Sequence, residues 1–249
     1  MTILSFIIIF SFLGSVGSVG GAALLLVFPQ RVRKTLVPCL ISYATGTLLG
    51  AAFIGMIPHA LEHIEPFPIL ATVLAGIVLF FLLEKLVIWR HCHDGECEIH
   101  GTAGPLILFG DAFHNFVDGV VIAAAFLISI PLGVATALAV IAHEVPQEIG
   151  DFAILLDSGY SRQKAFLYNL LSSSATLPAA VISYFSLKAT QAVIPYILAL
   201  SAASFIYIAM ADLIPELHKR FGVGTAVRQF ILFILGIGTT ILFFRLDHN

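Results

Sequence analysis

Two short polar stretches, about thirty residues apart, lie inside long apolar segments and concentrate side chains that bind metal ions. The nine residues are Asp111, His114, Asn115 and Asp118 in the first stretch, and His143, Glu144, Gln147, Glu148 and Asp151 in the second. A charged side chain at the centre of a bilayer costs roughly 2.5–3.5 kcal/mol, and such residues usually mark the path of an ion or substrate. A hydrogen-bonded staple between two helices is the structural alternative, but nine polar residues exceed what a staple needs.

Each stretch places its side chains on one face of a helix. At 100° per residue, the four residues of the first stretch fall within an arc of about 100°, and the second stretch forms a similar face. Imidazole nitrogen with carboxylate and amide oxygen suits zinc, iron(II), manganese or cadmium, whereas the lack of thiolates disfavours copper(I) and iron–sulfur sites. Ligation without cysteine also suits transient binding, because a conducted ion must leave its site.

The second stretch is similar to the H-E-x-x-H motif of zinc proteases, in which two histidines bind the metal. Here Gln147 stands where the second histidine is needed, and Pro146 lies inside the motif. We therefore predict that the chain is not an enzyme. A membrane-embedded zinc metalloenzyme, either a protease or a hydrolase, and a metal-sensing receptor are the alternatives.

The composition is that of a membrane protein. The 249 residues are 59% hydrophobic and 11% charged, with a mean hydropathy of +1.02, whereas soluble domains carry about 25% charged residues. A net charge of −3 gives no footprint for nucleic-acid binding. Three cysteines do not make a disulfide framework. We predict an all-α, multi-pass protein of the cell membrane in which residues 1–249 form one transmembrane domain.

Eight segments are apolar enough to cross a bilayer, which takes about 20 residues. They cover roughly 2–28, 36–62, 68–90, 104–129, 132–157, 162–187, 190–215 and 226–246. The first run is too long for a signal peptide and its basic residues follow it, so we expect a retained span. Almost nothing separates the fourth and fifth spans. We therefore predict a tight hairpin, the central pair at about 104–157, which brings the two polar stretches together.

Ten of the twelve lysines and arginines lie in or beside the odd-numbered loops. Because basic residues favour cytoplasmic loops, we expect both termini to be extracytoplasmic. The second and seventh spans each end near an Ile-Pro pair, at Pro58 and Pro215, but on opposite sides of the membrane. This pattern indicates inverted repeats around the central pair, in a 3+2+3 arrangement.

At residues 114–119 and 143–151 the chain resembles the fourth- and fifth-helix signatures of the ZIP family of divalent-metal transporters. It is nearest to the branch with H-N-x-x-D-G and H-E-x-P-H-E-x-G-D motifs, and the likeness extends to residues 57–62, 84–85 and 211–217. The family has eight helices with both termini outside. The resemblance implies import of Zn²⁺, or of Fe²⁺, Mn²⁺ or Cd²⁺, into the cytoplasm by alternating access, with the metal held between helices 4 and 5.

The resemblance also implies a two-metal centre. One metal would use His114, Asp118, His143 and Gln147, and the other would use Asn115, Asp118, Glu144 and Gln147. Gln147 stands where this branch has histidine, and a neutral amide bridges metals poorly, so the first site is favoured. The metal is expected as transported substrate, without an organic cofactor. The expected partners are metal ions and the lipid bilayer, with a homodimer as the candidate assembly and no nucleic acid.

Further ligand-type residues lie around these two sets. They are Asp111, Glu148 and Asp151 as pathway or supporting residues on the central pair, His59 at the expected entrance, and Asp212 and Glu216 at the expected exit. The cytoplasmic loop 91–103 adds His91, Cys92, His93, Cys97 and His100. This loop fits a flexible metal-receiving or metal-sensing segment, and a merely solvated loop is the alternative.

Overall fold

The computed structural model describes residues 2–62, 64–89, 103–219 and 221–247, and the regular structure in these ranges is helical throughout. Eight helices are long and apolar enough to cross a membrane, which confirms the predicted all-α, eight-span architecture. They are α1 (Ile3–Val27), α2 (Gln30–Leu61), α3 (Pro66–Trp89), α4 (Ala103–Ile128), α5 (Ile130–Asp157), α6 (Arg162–Ala189), α7 (Gln191–His218) and α8 (Val223–Asp247).

Helix α2 begins at Gln30, earlier than the predicted start near residue 36. Arg31, Arg33 and Lys34 therefore lie in the helix and not in a loop, which corrects the predicted boundary. A hydropathy count stops at charged residues, whereas a helix continues past the apolar zone, because its backbone groups stay paired and long basic side chains reach toward water. The basic residues remain at the same end of the helix.

The hairpin between α4 and α5 is as tight as predicted. A single residue, Ser129, separates the two helices, and its hydroxyl accepts a hydrogen bond from the amide of Leu132 at 3.2 Å. Serine at this position satisfies an amide that has no partner within the helix, and Pro131 in the first turn has no N–H to satisfy. These local signals start α5 and hold it antiparallel to α4.

Three helices contain a wider, π-helical turn. It lies at Leu13–Gly17 in α1, at Ala51–Met56 in α2 and at Ala209–Leu213 in α7. In α2 and α7 the wide turn comes directly before the Ile-Pro pair. Because proline lacks an N–H and its ring crowds the preceding turn, a wider turn accommodates it. This shared local geometry adds to the likeness between the two segments, and the inverted repeat itself remains a prediction.

Helices α4 and α5 connect two sets of neighbours. Helices α1 and α6 pack against each other and against both members of the pair. On the other side, α2 and α8 pack together and against α5, α7 packs against α4, and α3 packs mainly on α7. Fully buried alanines such as Ala123, Ala124 and Ala125 on α4 let neighbouring backbones approach closely. The polar face of the pair therefore lies inside the bundle.

Candidate metal centre

Four side chains from α4 and α5 converge in the interior of the bundle. His114 and Asp118 lie one turn apart on α4, and His143 and Glu144 are neighbours on α5. Asp118, His143 and Glu144 are at most 1% exposed, while the side chain of His114 is 18% exposed. Their ligand atoms all lie within 4.8 Å of one another.

The spacing of these ligand atoms fits a tetrahedral ion. The two Nε2 atoms of His114 and His143 are 3.1 Å apart, and each lies 3.3 Å from a carboxylate oxygen on the opposite helix. The remaining histidine–carboxylate distances are 3.8 Å. Zinc bonds to nitrogen and oxygen are about 2.0–2.2 Å long, so a tetrahedron around zinc has edges of about 3.3–3.6 Å. The five distances, from 3.1 to 3.8 Å, bracket these edge lengths, so the four groups can surround a zinc ion after small side-chain shifts.

A hydrogen bond prepares His143 for this role. Its Nδ1 lies 2.8 Å from the carbonyl oxygen of Ala139, one turn earlier on α5. Because a carbonyl only accepts, Nδ1 carries the proton and Nε2 presents its lone pair to the other ligands. The backbone of α5 thus fixes both the orientation and the tautomer of the imidazole.

The two amide residues of the predicted set, Asn115 and Gln147, both donate hydrogen bonds to Asp111. Asn115 donates from Nδ2 to the carbonyl and carboxylate oxygens of Asp111, at 3.2 and 3.0 Å. Its Oδ1 accepts from Thr176 at 2.7 Å and from Ser173 at 3.4 Å. Gln147 donates from Nε2 to Asp111 Oδ1 at 3.3 Å. Glu144 lies with the two histidines and Asp118, while the described side-chain contact of Gln147 is the one to Asp111.

Sequence reasoning did not select the hydroxyls of α6. Ser173 and Thr176 lie beside a break between Arg162–Ser173 and Thr176–Ala189, and both are fully buried. A run of small hydroxyl residues in an apolar helix is the signal that was present in the sequence, at residues 172–176. Asn169, one turn earlier, donates to the carbonyl oxygen of Glu148 at 3.1 Å. Helix α6 thus supports both stretches of the central pair.

The remaining predicted residues lie in separate places. His59 contacts the carbonyl oxygen of Gly55 at 2.9 Å and lines a groove of about 490 Å³ with Phe244 and Arg245. Asp212 is exposed in the π-helical turn of α7, and Glu216 forms an ion pair with Lys219 at 2.7 Å.

Asp151 and the cytoplasmic loop complete the set of predicted residues. Asp151 is half-buried on α5, one turn beyond the buried Glu148. The loop residues His91, Cys92, His93, Cys97 and His100 lie outside the described residues.

Comparison with known proteins extends the likeness beyond the motifs. A family model described as "ZIP Zinc transporter" matches residues 88–243, a range that includes both ligand helices. The chain is 31% identical to "Zinc transporter zipt-7.2" of Caenorhabditis elegans over 81% of its own length. It is 39% identical to "Zinc transporter ZIP10" of Danio rerio over 60% of its length, and 30% identical to "Zinc transporter ZIP13" of Pongo abelii over 82%.

These relatives are longer proteins. The matched regions cover 57% of the Caenorhabditis elegans protein, 19% of the Danio rerio protein and 66% of the Pongo abelii protein. The range matched by the family model, residues 88–243, contains the four converging ligands.

Proposed function

This chain belongs to the ZIP zinc transporter family, whose model covers more than half of its residues, and from that premise we propose that it carries divalent transition-metal ions into the cytoplasm. Zinc is the favoured cargo, because two imidazoles and two carboxylates at tetrahedral spacing suit it well. Fe²⁺, Mn²⁺ and Cd²⁺ bind the same ligand types and remain candidate cargoes. The family is one of transporters, so the prediction that the chain is not an enzyme is confirmed.

The convergence of His114, Asp118, His143 and Glu144 is the observation that carries the proposal. Buried ionisable groups are costly unless a charge of opposite sign compensates them, and a divalent cation among two carboxylates supplies that charge. The site lies between the fourth and fifth helices, where a carrier must hold its ion away from lipid. We infer that this is where the transported metal stops on its way across the membrane.

Burial of the site supports alternating access. Three of its four side chains are at most 1% exposed, so an ion exchanges with water on either side only if helices move. The packing offers two sets of helices for such movement: α1 and α6 with the central pair α4 and α5, and α2, α3, α7 and α8 on the other side of that pair. In the proposed cycle, the first set slides against the second and carries the metal with it.

Uptake into proteoliposomes tests the proposed function. Liposomes that contain the purified protein and an internal zinc-sensitive dye are expected to take up external Zn²⁺ at a rate that saturates with zinc concentration. Protein-free liposomes of the same lipid provide the control. Wild-type protein that raises the rate no further than protein-free liposomes would rule out the carrier function.

The proposed orientation is tested by chemical labelling from one side of the cell membrane. Phe67 at the start of α3 and Phe221 between α7 and α8 are 82% and 91% exposed, and the basic-residue pattern assigns them to opposite sides. In a background with Cys39, Cys92 and Cys97 replaced by serine, we expect a membrane-impermeant maleimide to label Phe67→Cys in intact cells. Phe221→Cys is expected to react only after permeabilisation. The reverse pattern would place both termini in the cytoplasm and overturn the proposed orientation.

A further inference from the structure

A second group of carboxylates lies next to the four-ligand site. One oxygen each of Asp111, Glu144 and Glu148 lie within 4.8 Å of one another. The three residues are 4%, 0% and 0% exposed. Glu144 belongs to this group and also to the four-ligand site, so the two share one carboxylate.

Five of the six carboxylate oxygens in this group lack a hydrogen-bond partner among the described residues. Among the described residues, neither oxygen of Glu148 has a hydrogen-bond partner, and the same holds for both oxygens of Glu144 and for Oδ2 of Asp111. A carboxylate buried in this way is costly unless a cation or a set of donors compensates it. Glu148 is thus a fully buried carboxylate with an oxygen within 4.8 Å of two other carboxylates.

Hydrogen bonds from the two amide residues, Asn115 and Gln147, position Asp111 as a metal ligand. Nδ2 of Asn115 and Nε2 of Gln147 both donate to Oδ1 of Asp111, at 3.0 and 3.3 Å. Hydrogen bonds to one oxygen orient the carboxylate and leave Oδ2 available, which is the usual arrangement for a metal-binding carboxylate and its supporting residues. Gln147 therefore acts on this group as a donor that holds a ligand in place.

Glu148 also lines a cavity of about 600 Å³ bounded by α1, the start of α2, α5 and α6. Arg33 and Arg162 line the same cavity and are the competing cations for Glu148. Within the described residues, no ion pair joins Glu148 to either arginine. The cavity thus gives the carboxylate group a neighbouring space through which an ion can arrive or leave.

We propose that Asp111, Glu144 and Glu148 form a second divalent-cation site, with oxygen ligands only. It differs from the second site implied by the family resemblance, which would use Asn115, Asp118, Glu144 and Gln147. Three carboxylates suit Zn²⁺ as well as the harder ions Mn²⁺ and Fe²⁺. The shared Glu144 would let an ion pass from the four-ligand site to this one. That passage rests on the proposed transport function. The existence of the second site does not depend on transport.

Counting bound metal in the purified full chain tests the second site. In equilibrium dialysis against Zn²⁺, followed by elemental analysis, we expect two equivalents in wild type and one in each of Glu148→Gln and Asp111→Asn. His143→Ala is expected to lose the other equivalent. Asp157→Asn, the same chemical change at an exposed position of α5, serves as the matched control and is expected to keep two. Two substitutions are used so that one unstable variant does not decide the result.

Manganese gives a readout that separates the two sites. Because Mn²⁺ prefers oxygen ligands, we expect its bound paramagnetic resonance signal to persist in His143→Ala and to be weaker in Glu148→Gln than in wild type. A single Zn²⁺ equivalent in wild type, or two equivalents in both Glu148→Gln and Asp111→Asn, would overturn the second site.

Uptake measured on the same preparations distinguishes this inference from the proposed function. A protein that transports zinc but binds one equivalent retains the function and loses the second site. A protein that binds two equivalents, one of them dependent on Glu148, but transports no zinc retains the site and loses the function.

Discussion

Replacing His143 by alanine is expected to lower the initial rate of zinc uptake at least about 100-fold. The imidazole contributes one of four ligands and lies 3.1 Å from the other histidine nitrogen and 3.3 Å from the Asp118 carboxylate. Loss of a supporting residue around a metal ligand already costs about 10–100-fold, so loss of the ligand itself should cost more. The rate is measured in proteoliposomes at a zinc concentration well below saturation, normalised to the amount of reconstituted protein.

Asp118→Ala is expected to reduce uptake to a similar extent, because it removes a fully buried carboxylate from the same shell. Asp157→Asn, at the exposed end of α5, is the control and should transport at the wild-type rate. Wild-type uptake by both His143→Ala and Asp118→Ala would mean that the four-ligand site lies off the transport path.

Replacing Gly236 by alanine is expected to destabilise the bundle by about 3 kcal/mol, at the upper end of the usual range for overpacking. A Cβ at Gly236 would lie 2.4 Å from the carbonyl oxygen of Tyr43 and 2.9 Å from the amide nitrogen of Thr47 on α2. Both atoms belong to backbone, so no side-chain rotation relieves the contact and the two helices must separate. Gly46 on α2 makes the reciprocal approach, because its Cβ would lie 2.1 Å from the carbonyl oxygen of Phe233.

The matched control lies two residues further along α8. A Cβ at Gly238 would have no atom within 4 Å outside its own helix, so Gly238→Ala is expected to change stability by no more than about 0.5 kcal/mol. The two variants are compared by thermal unfolding of the detergent-solubilised protein. Equal unfolding temperatures would show that α2 and α8 do not depend on this close backbone contact.

The central pair was predictable in outline because helical periodicity is a local property. Ligand residues three and four positions apart must share a helix face, and a near-absent loop must place the two faces together. The structure has this arrangement, with Ser129 as the single connecting residue. Periodicity does not decide which atoms meet, however, and the positions of Glu144 and Gln147 illustrate this. Both lie on the polar face of α5, yet a carboxylate oxygen of Glu144 lies beside the histidines, whereas Nε2 of Gln147 donates to Asp111.

The amide residues show why the rest of the site could not be read from the two stretches alone. The resemblance implies that Asn115 binds a metal. In the structure, its Nδ2 donates a hydrogen bond to Asp111 on α4, and its Oδ1 accepts one from Thr176 on α6. Helix α6 is distant in sequence from α4, and its approach depends on how the bundle packs. A Cβ on Gly119 would lie 2.2 Å from the carbonyl oxygen of Thr176, so the two helices touch closely at this point.

The sequence by itself determined the membrane environment, the eight spans and the two ligand faces, since these follow from composition, apolar length and the helical repeat, all of which act within a segment. Only the tertiary structure decided that Asp118 and Glu144 join both histidines, and that Asp111 and Glu148 gather around the same Glu144. The physical reason is that coordination needs atoms from different helices within a few ångströms of one another. That proximity is set by side-chain rotamers, by hydrogen bonds from neighbouring helices and by close backbone packing, none of which a single helix specifies.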